Sequence, residues 1–192
     1  MTAQLSDPAM PVMPPHKDKV RAQGCITLIG MAASGKTTIG RELAAQIGWA
    51  HIDTDHVIEA HYGARLQQIT DSMTGPEFLD IESKVIRSLV VGNVVISTGG
   101  SVIYRQEAVD FLATLGPVIY IDVPLPIIQA RIARKPDRGL VMAPGQTLED
   151  LYNERKALYT KAATVRFTGS EAPAINLARK VAQWVSSPGS AA

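Results

Sequence analysis

The segment Gly30-Met31-Ala32-Ala33-Ser34-Gly35-Lys36-Thr37 constrains this chain most, because it spells G-x-x-x-x-G-K-T between an apolar run and an amphipathic one. In that pattern the glycines let successive backbone N–H groups curl around phosphate oxygens. The lysine reaches the β- and γ-phosphates, and the threonine hydroxyl ligates Mg²⁺. Ahead of the loop, Cys25-Ile26-Thr27-Leu28-Ile29 predicts a buried strand; behind it, Ile39, Leu43, Ala44 and Ile47 recur at helical spacing. Strand, turn and helix therefore come in the order a nucleoside triphosphate site needs, with the positive end of the helix dipole under the phosphates. The alternative is a merely flexible Gly/Ser turn. The nucleotide contacts expected from the loop are Gly30, Ala33, Ser34, Gly35, Lys36, Thr37 and Thr38.

Apolar runs at 25–29, 50–53, 94–98, 117–123 and 164–168 alternate with amphipathic stretches, the order that builds a parallel sheet covered by helices on both faces. The fold class expected is α/β, a P-loop NTPase-type sheet with a mobile lid at about 132–147. Residues 1–23 carry Pro8, Pro11, Pro14 and Pro15 without any period and read as a disordered leader. Residues 24–185 form one domain and 186–192 a flexible tail. With 192 residues a second domain is not needed. The net charge of +1 comes from 19 basic and 18 acidic residues mixed along the chain, so neither a nucleic-acid nor a membrane partner is expected. One cysteine, no signal peptide and no membrane-length run lead to the expectation of a cytoplasmic monomer.

Three further places carry chemistry. His51-Ile52-Asp53-Thr54-Asp55 puts two carboxylates at the carboxyl edge of the sheet, where ligands bind in such folds. Phosphoryl transfer needs one acid near Mg²⁺ and another to hold or deprotonate the accepting hydroxyl. Alternatively, Thr54 or Asp55 only caps the helix expected from Asp55 to about Tyr62. Next, Gly99-Gly100-Ser101 ends the strand 94–98, and paired glycines let a ligand approach the backbone. Finally, Arg155 falls inside the apolar stripe Leu148, Leu151, Tyr152, Leu158 and Tyr159 of the helix expected over 147–163. An inward guanidinium needs an anion. Asp150 or Glu154 would serve internally, or the chain could snorkel; a ligand carboxylate suits its bidentate geometry. The histidines His51, His56 and His61 lack the spacing of a metal site, and Trp49 and Trp184 read as packing residues.

Taken together, these residues resemble the shikimate kinase family over about Thr27 to Trp184. The resemblance rests on Asp53-Thr54-Asp55 followed by Val57-Ile58-Glu59, on Glu77-Phe78 with Glu82, and on Ser97-Thr98-Gly99-Gly100. Arg131 and Arg138 around a lid and Glu154-Arg155 with Ala157-Leu158-Tyr159 complete it. It implies transfer of the γ-phosphoryl group of ATP to a hydroxyl of a small metabolite. Lys36 and Thr37 would take phosphate and Mg²⁺, and Asp53 would hold the metal's water shell. Asp55 would bind the acceptor and orient its hydroxyl, with backbone N–H groups near Gly99 and Gly100. Arg131 and the segment near Pro173 would lie over the adenine, lid residue Arg138 would reach substrate and phosphoryl, and Arg155 would bind the carboxylate. Lys36, Asp55 and Arg138 are the catalytic residues on this reading.

Three departures stand beside the matches. Shikimate kinases place an arginine after the phenylalanine of the Glu-Phe motif, where this chain has Leu79; their third glycine is Ser101 here, and the proline after the lid arginine is Gly139. Removing one partner of a buried charge pair typically costs ~2–5 kcal/mol, so shikimate should bind more weakly. A smaller hydroxylated amino acid, homoserine, is therefore the preferred acceptor, its ammonium meeting Asp55 and its carboxylate Arg155; authentic shikimate kinase is the alternative. A catalytically inactive nucleotide-responsive binding protein is a further one. ATP and Mg²⁺ are the expected cofactors.

Overall fold

Runs that are apolar at every position can only be satisfied with both faces covered, and the three central strands show this. The computed structural model describes residues 24–134, 142–143, 145–169 and 172–187. Strands β1 (Ile26–Ile29), β3 (Val94–Ser97) and β4 (Val118–Asp122) are buried at every residue, as parallel strands between helical layers must be. β2 (Ala50–Asp53) and β5 (Val165–Thr168) are the partly exposed edges. The order is β2-β3-β1-β4-β5, with every neighbouring pair parallel. All five strands lie within a residue at either end of the apolar runs.

Eight α-helices cover the sheet among the described residues: α1 (Lys36–Ile47), α2 (Thr54–Tyr62), α3 (Leu66–Asp71), α4 (Gly75–Arg87), α5 (Gln106–Leu115), α6 (Leu125–Ala133), α7 (Leu148–Ala162) and α8 (Ala174–Val185). The main core surrounds the sheet, with α1 packed on α8 and α7 against β4. Trp49 and Trp184 pack against it as expected, Trp184 edge-on to Phe167. A separate small core of Ile58, Ile69 and Phe78 ties α2, α3 and α4 together. Among the described residues no helix is long and apolar enough to cross a membrane.

The chain leaves β1, turns outward and returns along β2, while β4 lies on the other side of β1. That reversal opens a crevice at the carboxyl ends of the strands, where open α/β sheets bind ligands. Asp53 pairs in register with Ser97, so the end of β2 sits beside the Thr98-Gly99-Gly100 turn after β3. The expected leader, residues 135–141 and 144 of the expected lid, and residues 188–192 of the tail lie outside the described residues.

Candidate active site

The loop after β1 owes its shape to three left-handed residues. Gly30 has φ 147° and a Cβ there would stand 2.7 Å from the Ile121 carbonyl oxygen; Gly35 has φ 96° and caps α1. Ala33 takes φ 63°, a conformation a non-glycine residue holds only where its surroundings enforce it, and such strain gathers at ligand sites. Arg131, from α6, donates through Nη1 to the carbonyl oxygens of Ala33 (3.1 Å) and Ser34 (3.3 Å), which steadies that turn. Lys36 is buried and donates through Nζ to the Gly30 and Met31 carbonyls at 2.8 and 2.9 Å, folding back over the loop. The Ser34 hydroxyl is buried with no hydrogen-bond partner among the described residues. An orphaned donor beside a lysine and a helix N-terminus is the donor set that a phosphate chain satisfies.

Asp53 settles the question of the two acids. α2 begins at Thr54 rather than Asp55, and its N-cap is Asp53, whose Oδ1 accepts from the Asp55 backbone N–H at 3.1 Å. The alternative in which Thr54 or Asp55 is the cap is corrected: Asp53 is still extended and so free to turn its carboxylate onto the helix end. Its other oxygen, Oδ2, accepts from the Thr37 hydroxyl at 2.6 Å, joining the end of β2 to the first turn of α1. Asp55, the second residue of the helix, instead points its Oδ1 toward Gly99, where a Cβ would come within 2.8 Å of it. The Thr54 hydroxyl accepts from the Gly99 N–H at 3.1 Å and locks the two edges together.

Behind Gly99 lies Glu82, 1% exposed and so close that any side chain placed on that glycine would overlap its Oε1. Ser101, which replaces a glycine in the family pattern, donates its hydroxyl to Glu82 Oε2 at 2.8 Å; Oε1 has no partner among the described residues. Burial first, then the neighbouring Asp55 carboxylate, push the Glu82 carboxyl up to about 8, against the opposing pull of Ser101, Arg155 and Lys36. Arg155 is 2% exposed, with Nε donating to the Tyr104 hydroxyl at 3.2 Å and its guanidinium over the Tyr104 ring. Of the two acids offered as internal partners, Asp150 accepts from the Thr147 hydroxyl, and Glu154 accepts from Gln146 and also bears on the Tyr104 hydroxyl. Tyr159, whose hydroxyl is raised by burial, donates to the Gly100 carbonyl. Sequence reasoning noted Glu82 and Tyr159 only as parts of a family pattern and did not foresee Tyr104 or Arg65 at the site.

Two cavities meet at the phosphate loop. One, of about 380 Å³, is lined by Ala33, Ser34, Gly35 and Thr38 on one side and by Arg131, Thr168, Pro173 and Asn176 on the other. The second, of about 790 Å³, contains Lys36, Thr37, Asp53, Asp55, Gly99, Gly100 and Arg155. Ala33, Gly35 and Thr38 belong to both. Every site residue expected from the sequence lines one or the other, except Gly30, which shapes the loop beneath, and Arg138, which lies outside the described residues. Leu79 is half-buried, yet lines neither cavity and joins neither core. His51 is a packing histidine, hydrogen-bonded to Ser97 at 2.9 Å and held below its ordinary value chiefly by burial.

The comparisons with known proteins agree with this geometry. Residues 32–186 match the family model described as shikimate kinase. The shikimate kinase of Helicobacter hepaticus is 37% identical over 160 residues, covering 81% of this chain and 92% of that protein. That of Nitratidesulfovibrio vulgaris is 33% identical over 144 residues, covering 72% and 82%. Among solved structures, shikimate kinase from Acinetobacter baumannii in complex with shikimate superposes with a TM-score of 0.79 at 32% identity, covering 85% of this chain and 93% of that one. The enzyme from Aquifex aeolicus gives 0.70 at 28% identity, covering 84% and 95%. With a central parallel sheet, a phosphate loop at its switch point and this extent of match, the chain belongs to the shikimate kinase family of ATP-dependent kinases.

Proposed function

We propose that this kinase transfers the γ-phosphoryl group of ATP to a hydroxyl of shikimate, its adenosine in the smaller cavity and the acceptor in the larger. The observation that carries the reading is the shared wall: Ala33, Gly35 and Thr38 face both cavities, so phosphates bound there lie between the two occupants. The relatives named as shikimate kinases, and the superposition on a shikimate complex, support the choice of acceptor.

Asp55 orients the acceptor hydroxyl and accepts its proton as the oxygen bonds to the γ-phosphorus and the bond to the ADP oxygen breaks. Lys36 leaves its loop carbonyls for the β- and γ-phosphates. The Thr37 hydroxyl and, through a water shell, Asp53 fit Mg²⁺, whose charge would offset that of the phosphates; their mutual hydrogen bond at 2.6 Å already sets the spacing. Arg155 binds the carboxylate, and Arg131 with Pro173 encloses the adenine. Arg138, which lies outside the described residues, would by the family resemblance act on the transferring group. Gly99 keeps the acceptor against the backbone. Gly99→Ala is expected to raise the acceptor KM about tenfold or more while leaving that of ATP unchanged, because the new methyl lands on Glu82 and Asp55. Steady-state kinetics on both substrates checks this.

A second reading keeps homoserine as the acceptor, favoured by one observation: an apolar Leu79 stands where the family carries an arginine. Initial rates with shikimate and with homoserine, each with ATP and Mg²⁺, separate the two. Turnover of shikimate alone supports the first reading; turnover of homoserine alone overturns it. Leu79→Arg is expected to lower the shikimate KM severalfold if the missing cation limits binding.

A further inference from the structure

The larger cavity has a wall that the motifs leave unexplained. α3 rests on the small core between α2 and α4, and the segment around it contributes Arg65, Leu66, Gln67 and Thr70 to the lining. The backbone at this point is fixed from both sides. Gln68 Oε1 accepts from the Arg65 N–H at 3.1 Å, and Glu59 Oε1 accepts from the Leu66 N–H at 2.9 Å. The polar neighbours are already engaged: Gln67 Nε2 donates to Asp71 at 2.7 Å, and the Thr70 hydroxyl donates to the Gln67 carbonyl at 2.9 Å. Arg65 is exposed, and among the described residues no ion pair involves it.

The cavity's other cations are distributed unevenly. Lys36 is folded onto the phosphate loop, Arg41 rises from α1 immediately beyond it, and Arg155 enters from α7. Among the described residues, Arg65 is the one arginine or lysine that lines the cavity from the α2–α4 side, where His56 of α2 also stands and Leu79 contributes nothing to the lining. A carboxylate held by a single guanidinium can still pivot; two planar forks from separate elements fix both its oxygens.

We propose that Arg65 is a specificity-determining residue that, with Arg155, holds the carboxylate of the acceptor. The inference rests on the reading that the acceptor is a carboxylate-bearing alcohol, and it applies to shikimate and homoserine alike. A pinned backbone beneath a long, uncommitted side chain gives a fixed origin and an adjustable reach.

The test is steady-state kinetics of wild type, Arg65→Ala and Arg65→Lys, with shikimate and homoserine each supplied as the acid and as its neutral carboxamide. Arg65→Ala is expected to raise the KM of the turned-over acid about tenfold or more, the loss of one charge-assisted contact, and to leave the KM of ATP within about twofold. Its effect on the carboxamide should be small, and Arg65→Lys should recover part of the loss. An unchanged acid KM, or equal losses on acid and carboxamide, overturns the proposal. If wild type phosphorylates homoserine and not shikimate, the acceptor assignment falls while Arg65 is tested on homoserine.

Discussion

Asp55→Asn is expected to lower kcat by about 10²- to 10⁴-fold, the range spanned by a positioned proton acceptor, with ATP affinity unchanged. The amide keeps the shape and still orients a hydroxyl, yet accepts no proton. Folding is retained because the α2 cap is built from the Asp53 side chain and the Asp55 backbone, neither of which changes. Stability should improve in a pH-dependent way. Glu82 is raised from 4.5 to about 8 in the folded protein, in part by Asp55, so the folded form holds its proton where the unfolded chain has released it. Its contribution is therefore fully present below 4.5 and is lost progressively as pH rises toward 8. Removing the Asp55 charge lowers the folded value and shrinks that loss. The variant's melting temperature should exceed wild type by more at pH 7 than at pH 5, read from thermal unfolding at the two values.

Arg155→Ala should cut kcat/KM for the acceptor by an amount corresponding to about 2–5 kcal/mol, roughly 30- to 4,000-fold, because it removes a buried guanidinium from the carboxylate we propose it binds. Arg155→Lys keeps the charge and loses the planar fork, so it should recover only part of the rate. The loss belongs to the acceptor half alone. Arg155 reaches the larger cavity and not the smaller one, so the KM of ATP measured on the same preparations should stay within about twofold. A matching rise in the KM of ATP would instead indicate a collapsed site.

Much of this was legible because it is local. The strands β1, β3 and β4 announced themselves as continuous apolar runs, and the phosphate loop is a single stretch whose glycines, lysine and threonine act where they stand. Asp53 and Asp55 were placed at the right edge, although the cap of α2 is Asp53 and neither Thr54 nor Asp55, because it turns on where the strand stops, a matter of one residue. What escaped depends on groups far apart in sequence. Ser101 read as a lost glycine, whereas its hydroxyl holds Glu82, 19 residues away. Tyr104 meets Arg155 across 51 residues, and nothing in either local pattern points to the other. Leu79 read as a missing contact; the structure adds that Arg65, just ahead of a short helix with too few residues to show a period, stands on the wall Leu79 does not reach.

The most direct measurement incubates the protein with ATP, Mg²⁺ and an equimolar mixture of shikimate, homoserine and other metabolite alcohols, and identifies the product by mass. The account predicts ADP and one phosphorylated acid in equal amounts, with shikimate as the acid. ATP bound tightly with no phosphorylated alcohol formed, or the phosphoryl group delivered only to water, would contradict it.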